Sequence, residues 1–180
     1  HSQAFHSFFM HTPGLKVVAP TFASDAKGAM IAAIRDDNPV VYLEHRMLYS
    51  LKEHVSIEPY ATEIGKARVI CKGSDITIVG ISHMVIESLR AHKHLEGIGI
   101  SAEIIDPIWL SPLDIKSIVA SVKKTGRLLV VDTAWLTCGV SSEICMQVLE
   151  HLQSSQTIRV ERMGYENSPC PTTKPLENIF

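Results

Sequence analysis

The chain has 180 residues, a formal net charge of −2 at pH 7 and a sequence pI near 6.5, so it lacks the basic character that nucleic-acid binding requires. Hydrophobic residues make up 46% of the sequence and charged residues 20%, an ordinary globular composition with enough apolar side chains for a buried core. No apolar run approaches the roughly 20 residues of a membrane-spanning helix. The sequence therefore predicts a globular protein that binds neither nucleic acid nor membrane.

The four cysteines favour the reducing interior of a cell. They form no C-x-x-C pair, which disfavours both a zinc site and a disulfide scaffold. Cys145 falls within an apolar helical pattern and is predicted to be a small core residue.

The start of the chain is predicted to form a helix followed by a short strand. Three aromatic residues recur at helical spacing and share one face, namely Phe5, Phe8 and Phe9. Pro13-Gly14 ends the helix, and the strand is predicted over 15–19. His1 projects from roughly the same side as the aromatic face. On the residues alone, His1 has three open interpretations: a catalytic group, a tag remnant or a packed surface residue.

A second helix is predicted from about 25 to 36, capped by Ser24. Its buried stripe is expected to consist of Ala26, Ala29, Met30, Ala33 and Ile34. A strand over 40–44 follows. The stretch 45–66 has no long periodicity and contains Pro59 and Gly65, so it is predicted to link two domains.

From residue 67 onward, strands and helices alternate. The strands are predicted over 68–71, 75–82, 102–106, 128–132 and 157–161. The intervening helices are expected to start at Ser82, at the capping signal Ser111-Pro112-Leu113-Asp114 and after Gly139. This alternation predicts a mostly parallel sheet with helices on both faces, and the tight turn at 72–74 suggests one antiparallel edge. The tail over 167–175 is predicted to be irregular.

Polar and aromatic residues follow the predicted strands at the edge where open α/β sheets bind ligands. Asp106 and Asp132 are either acid/base groups or caps of the neighbouring loops. Trp109 and Trp135 are either interface aromatics or core wedges. The common phosphate-binding, nucleophile and zinc-protease motifs are missing from the sequence. Pattern alone thus predicts a two-part α/β protein without an assigned activity.

A D-x-N segment follows the second predicted helix. Asp36 and Asn38 lie where free carbonyl groups and the negative end of the helix dipole gather. Two interpretations stay open from the pattern, a cation site and a plain turn.

Several segments together resemble one enzyme family. They are H-S-Q ahead of P-G-L-K-V-V, then A-I-R-D-D-N-P-V, G-K-A-R-V-I-C-K-G-S-D-I-T-I-V-G and I-I-D-P-I-W-L-S-P-L-D. Over essentially its whole length the chain resembles the β subunit of thiamine-diphosphate-dependent 2-oxo acid dehydrogenases. That family supplies the decarboxylating component of the pyruvate, branched-chain 2-oxo acid and acetoin dehydrogenase complexes.

The resemblance implies a fold and a division of the chain. Residues 1–50 correspond to the second half of a pyrimidine-binding, transketolase-like domain, and 51–66 to a linker. Residues 67–180 correspond to a transketolase C-terminal-like domain with a mostly parallel sheet and one antiparallel edge strand.

The resemblance also implies site residues. The histidine of H-S-Q, here His1, corresponds to a residue that lines the active site and takes part in proton transfer, a role that suits imidazole. The family's potassium site maps onto Ala33 and Ile34 through their carbonyl groups, and onto Asp36 and Asn38.

The implied function is the oxidative decarboxylation of a 2-oxo acid, with pyruvate favoured, and acyl transfer to a lipoyl group. The implied cofactors are thiamine diphosphate with Mg²⁺ in the intact complex, and K⁺. The implied partners are an α subunit and a second β subunit in a heterotetramer, the lipoyl acyltransferase core and the 2-oxo acid substrate. The expected location is the cytoplasm, or the mitochondrial matrix in a eukaryote.

Two family features are missing from this sequence. The glutamate that contacts the aminopyrimidine lies upstream in the family, and the G-D-G…N motif for magnesium and diphosphate belongs to the α subunit. We therefore expect the chain to be a C-terminal fragment that is inactive in isolation. The alternative function is a non-catalytic dimerisation and docking module for the α subunit and the acyltransferase core, with Trp109, Trp135 and the tail as interface candidates.

Overall fold

Two β-sheets, flanked by helices, organise the computed structural model, which describes residues 3–152, 154–171 and 173–177. In chain order the elements are α1 (His6–Met10), β1 (Lys16–Val18), α2 (Ala23–Ile34), β2 (Val40–Tyr42), a 3-10 turn (Arg46–Leu48), β3 (Arg68–Cys71), β4 (Ile76–Gly80), α3 (His83–Gly97), β5 (Ala102–Asp106), β6 (Trp109–Ser111), α4 (Ile115–Thr125), β7 (Arg127–Trp135), α5 (Val140–Leu152), β8 (Arg159–Tyr165) and α6 (Lys174–Glu177). No helix in these ranges is long and apolar enough to cross a membrane.

The larger sheet has the strand order β3-β5-β4-β7-β8. Strands β5, β4, β7 and β8 run parallel to one another, and β3 lies antiparallel at one edge. The predicted α/β class with one antiparallel edge is therefore confirmed. The partner of β3 is β5, however, and not β4 across the turn at 72–74. Because β4 uses both of its edges to pair with β5 and β7, β3 can join the sheet only beyond β5.

Helices cover both faces of this sheet, as predicted. Val79 and Val130 pack on one face within the main core, together with side chains of α4 and α5. Ile78 and Ile104 point to the opposite face, where they pack against Val85 of α3. The alternation follows from the period of two along a strand.

The smaller sheet contains strands from both predicted domains. β1 pairs in parallel with β2 and antiparallel with β6, whose residues come from the second half of the chain. The main core likewise combines Val17 and Ala19 with Ile105 and Leu110. The linker over 51–66 stays a prediction, but the segments on either side of it share one sheet and one core.

α2 buries a face that matches the predicted one only in part: Ala29 is buried as predicted, whereas the larger side chains are not. Met30 and Ile34 are 38% and 76% exposed. The buried residues are Asp25, Gly28, Ala29 and Ala32. Small residues face inward because the segment around Thr62 packs directly on the helix, with Thr62 N donating to Gly28 O at 3.1 Å. The predicted cap is also wrong, since Ser24 lies within the first turn and Phe22 occupies the N-cap without a side-chain bond.

α4 starts later than its sequence signal indicated. Ser111 belongs to β6, and the N-cap is Asp114, whose Oδ1 accepts a hydrogen bond from Ser117 N at 3.1 Å. The predicted end is confirmed: Gly126 takes a left-handed φ of 69° and its N–H donates to Val122 O at 2.8 Å. In the tail, α6 replaces part of the stretch predicted to be irregular.

Candidate active site at the carboxyl edge of the larger sheet

A buried histidine–carboxylate pair attaches α1 to this edge. His6 Nε2 lies 2.8 Å from Asp132 Oδ2, and the two side chains are 7% and 2% exposed. An ionised carboxylate only accepts, so His6 Nε2 is the donor. Asp132 Oδ1 accepts a second bond from Ala134 N at 3.2 Å, which is the predicted loop-capping contact. Asp132 therefore orients an imidazole and caps its own loop at the same time.

Asp106 ends strand β5, which is separated from β7 by β4, and is completely buried. Its Oδ1 accepts a hydrogen bond from Ile108 N at 2.9 Å, again a loop cap, whereas its Oδ2 has no partner among the described residues. Burial raises the pKa of Asp106 to about 7, against the opposing effect of the hydrogen bonds that it accepts. This carboxyl group thus changes its protonation state near neutral pH.

The loops beyond three strands have strained backbones. Ser82, Ile108 and Cys138 follow β4, β5 and β7 with φ values of 52°, 57° and 55°. A left-handed conformation costs a non-glycine residue roughly 1–2 kcal/mol, and such strain concentrates at functional sites. Ser82 does not cap α3 with its side chain, contrary to prediction; instead its carbonyl accepts from Thr21 Oγ1 at 3.0 Å.

A second histidine contact lies beside the same edge. The rings of His45 and His83 stack with centroids 4.8 Å apart and an interplanar angle of 15°. Burial, and secondarily the neighbouring His83, lower the pKa of His45. Uncharged His45 is therefore favoured, which removes charge repulsion within the stack.

Residues of α1 and of the segment just before it line two cavities of about 860 and 880 Å³. Both are lined by Ala4, Phe5 and Phe8. The first also takes in Pro112, Trp135, Cys138 and Glu143, and the second His6, His45, Arg46, Ser82 and Tyr165. Their volumes fall within the range of small-molecule sites. The position of α1 therefore sets the shape of both cavities.

The end of α2 brings together three of the four residues predicted for potassium. Asp36 Oδ1 accepts from Asn38 N at 2.8 Å and from Asn38 Nδ2 at 3.1 Å, and Ala33 O accepts from Asp36 N at 3.3 Å. Ile34 is the last residue of the helix. Asp36 Oδ2 forms an ion pair with Lys16, whose hydrogen bond is the main cause that lowers the pKa of Asp36. These oxygen atoms suit a hard cation, but Lys16 already supplies one positive charge there.

The remaining residues considered in the sequence are His1, Trp109, Trp135 and Cys145. His1 lies outside the described residues. Trp109 is fully buried in the core beside β1, so the core interpretation is confirmed and the interface interpretation is wrong for it. Trp135 is half-buried and donates from Nε1 to Ser168 O at 2.7 Å. Cys145 is buried, as predicted. His6 was missed, although a polar residue one turn before the core-packed Phe9 was a signal for an inward-facing imidazole.

Comparison with known proteins identifies the family. Residues 65–180 match the transketolase C-terminal domain, and residues 1–52 match the transketolase pyrimidine-binding domain. The chain therefore belongs to the transketolase-like family of proteins that combine these two domains.

Within that family the chain is similar to β subunits of dehydrogenase components, as the resemblance implied. It is 42% identical over 182 residues to the mitochondrial pyruvate dehydrogenase E1 component subunit beta of Dictyostelium discoideum, covering 99% of this chain and 51% of that protein. It is 45% identical over 172 residues to the corresponding subunit of Bacillus subtilis, covering 95% and 53%. It is 39% identical over 180 residues to acetoin:2,6-dichlorophenolindophenol oxidoreductase subunit beta of Cupriavidus necator, covering 100% and 53%.

A solved structure described as a split-gene transketolase, an inactive beta4 tetramer, has a TM-score of 0.76 at 27% identity and covers 91% of this chain and 52% of that one. The chain thus spans about half the length of the curated relatives it matches.

Proposed function

We propose that the chain forms part of the β component of a thiamine-diphosphate-dependent 2-oxo acid dehydrogenase. The component would decarboxylate a 2-oxo acid, with pyruvate favoured, and pass the acyl unit to a lipoyl group. One observation carries the proposal: identities of 39–45% over at least 95% of the chain to pyruvate and acetoin enzyme β subunits.

The proposed assembly contains an α subunit, a second β subunit and the lipoyl acyltransferase core. Thiamine diphosphate supplies an electron sink for decarboxylation when bound. We assign the Mg²⁺ and diphosphate contacts to the α subunit, because the G-D-G…N motif belongs to that subunit in the family that the chain resembles. The proposed location is the mitochondrial matrix or the bacterial cytoplasm, since the relatives are mitochondrial and bacterial proteins.

His1 is the proposed proton-transfer residue. A positioned general acid or base contributes typically 10²–10⁴-fold to rate, so we expect His1→Gln to lower kcat by about that factor. The measurement is 2-oxo-acid-dependent reduction of an artificial electron acceptor, with the polypeptide that carries this sequence assembled with an α subunit, thiamine diphosphate and Mg²⁺.

His11→Gln is the matched control, because His11 lies on the same segment and is exposed. Its activity should stay within about twofold of the unsubstituted enzyme, since removal of an exposed side chain changes little. Full activity of the His1 variant would contradict its proposed role, whereas an inactive unsubstituted assembly would contradict the proposed function itself.

Potassium is proposed to bind at the end of α2 through the carbonyl groups of Ala33 and Ile34 and the side chains of Asp36 and Asn38. Binding to the folded state alone would raise the thermal midpoint in KCl over equimolar NaCl by about 3–6 °C when K⁺ exceeds its Kd tenfold, because that excess adds about 1.4 kcal/mol. Asp36→Asn should abolish this difference, and the exposed neighbour Asp37, changed to Asn, should retain it. Equal midpoints in the two salts would refute the site.

Dimerisation and docking form the second candidate function. The observation in its favour is a set of exposed apolar side chains, including Ile34 at 76% and Ile57 at 94%, because such groups mark interaction surfaces when they cluster. Light scattering tests it: a stable dimer of this chain supports self-association, and a monomer at micromolar concentration opposes it.

A further inference from the structure

α1 cannot hold its position by itself. It has only five residues, its N-cap makes no side-chain bond, and it carries no acidic residue in its first turn or basic residue in its last. Helices this short are unstable in water without tertiary contacts. Phe5 at the N-cap and Phe8 are 54% and 73% exposed, so two of the three phenylalanines of the aromatic face contribute little burial. His6 is the buried residue of this helix.

The group that receives His6 lies on an inner strand. Asp132 is in β7 and directly follows Val131, which pairs with Gly80 of β4 on one side and Met163 of β8 on the other. Just after Val131 the pairing of β7 with β8 becomes irregular, so Asp132 is held by the bond from Ala134 N to its second carboxylate oxygen. Charge-assisted hydrogen bonds are roughly twice as strong as neutral ones. The pair therefore attaches a weak helix to an inner strand of the sheet.

Stability alone is a poor reason for a buried polar pair. Replacing such a pair with apolar side chains of similar volume is often neutral or stabilising. What the pair adds over an apolar contact is direction, because one ring nitrogen must meet one carboxylate oxygen. At this place direction matters, since α1 contributes lining residues to both cavities.

We propose that His6 and Asp132 form a positioning pair that holds α1 in the productive arrangement at the carboxyl edge of the larger sheet. This inference rests on the proposed function for its catalytic consequence. A misplacement of about 1 Å in an active site can lower the rate roughly 10²-fold. Loss of the pair should therefore lower kcat more than it changes the KM for the 2-oxo acid.

The test compares His6→Ala with His6→Gln in the assembled enzyme. The amide nitrogen of glutamine reaches about as far as Nε2, so Gln keeps a donor for Asp132, whereas Ala removes it. We expect His6→Ala to lower kcat 10–100-fold with little change in KM, at a temperature where both variants are fully folded. His6→Gln should recover most of the loss. Asp132→Ala should resemble His6→Ala, and the double variant should be no worse than either single one.

Hydrogen exchange provides a readout that does not need activity. The amides of 6–12 should exchange faster in His6→Ala and recover in His6→Gln, while amides of β4 and β7 stay unchanged. Faster exchange throughout the molecule would mean general destabilisation and would overturn the positioning role, as would an unchanged kcat in an active enzyme. An inactive unsubstituted assembly with the expected local exchange pattern would reject the proposed function but keep the anchoring of α1.

Discussion

Asp106 illustrates how a single buried residue can make stability depend on pH. Burial raises its pKa to about 7 in the folded protein, from 3.8 in an exposed carboxyl group. Between these pH values the folded state keeps a proton that the unfolded state releases, so the free energy of unfolding falls as the pH rises from about 4 to 7. The free energy of unfolding becomes constant above about pH 7, and its total decrease is on the order of 2–4 kcal/mol.

Asp106→Asn should remove this dependence. The amide oxygen can still accept from Ile108 N, and the amide nitrogen replaces the protonated oxygen. We expect the variant to gain about 1–3 kcal/mol over the unsubstituted protein at pH 8, and much less at pH 5. Urea denaturation at the two pH values measures the difference. An equal effect at both would show that Asp106 is already ionised at pH 5.

At the residue scale, the sequence predicts where a residue lies along an element better than it predicts which other residues that residue contacts. Asp106 could be placed at the end of its strand because it follows an apolar run, whereas β7 continues to Trp135, three residues beyond the predicted end at Asp132. The bond between His6 and Asp132 could not be predicted, because 126 positions separate the two residues and no local pattern records their proximity. The signature for Ala33, Asp36 and Asn38 is local, and the structure does bring these three together.

At the element scale, α2 shows why apolar periodicity can select the wrong face. The prediction aligned the larger residues Met30 and Ile34 with the core, but the tightest contact is made by a glycine. A Cβ on Gly28 would lie 2.9 Å from Tyr60 Cε2 and 3.2 Å from Thr62 N. Hydrophobicity patterns do not register such close backbone approach, so they treat glycine as neutral. The C-terminal end of α4 was predictable, because Gly126 is a strong local signal for a helix end.

Gly28→Ala should therefore destabilise the protein although alanine favours helices. The gain in helix propensity is about 1 kcal/mol, and overpacking costs about 1–3 kcal/mol, so we expect a net loss of up to about 2 kcal/mol. Gly97→Ala is the matched control, since a Cβ there meets nothing within 4 Å. It should be neutral or stabilise by up to about 1 kcal/mol. Equal effects of the two changes in urea denaturation would mean that 60–62 does not pack on α2 in solution.

At the scale of the whole molecule, the two regions that match separate transketolase domains share one sheet and one hydrophobic core. β6 pairs with β1 across the predicted linker, and Trp109 of β6 packs with Val18 and Ala29. Strand–helix alternation was sufficient to predict the larger sheet, because its crossovers are local. It could not predict β6, which has three residues and follows the left-handed Ile108.

This shared sheet predicts a single unfolding transition. The chain contains two tryptophans, so Trp135→Phe leaves Trp109, fully buried between the two regions, as the only indole fluorophore. Far-UV circular dichroism follows mainly the long helices α3, α4 and α5 of the second region. Because one core contains Val17 from the first region and Ile144 from the second, we expect both signals to share one denaturation midpoint, as two-state unfolding requires. A Trp109 transition at lower urea concentration than the helical transition would show that the smaller sheet opens first, and that residues before the linker form a separate cooperative unit.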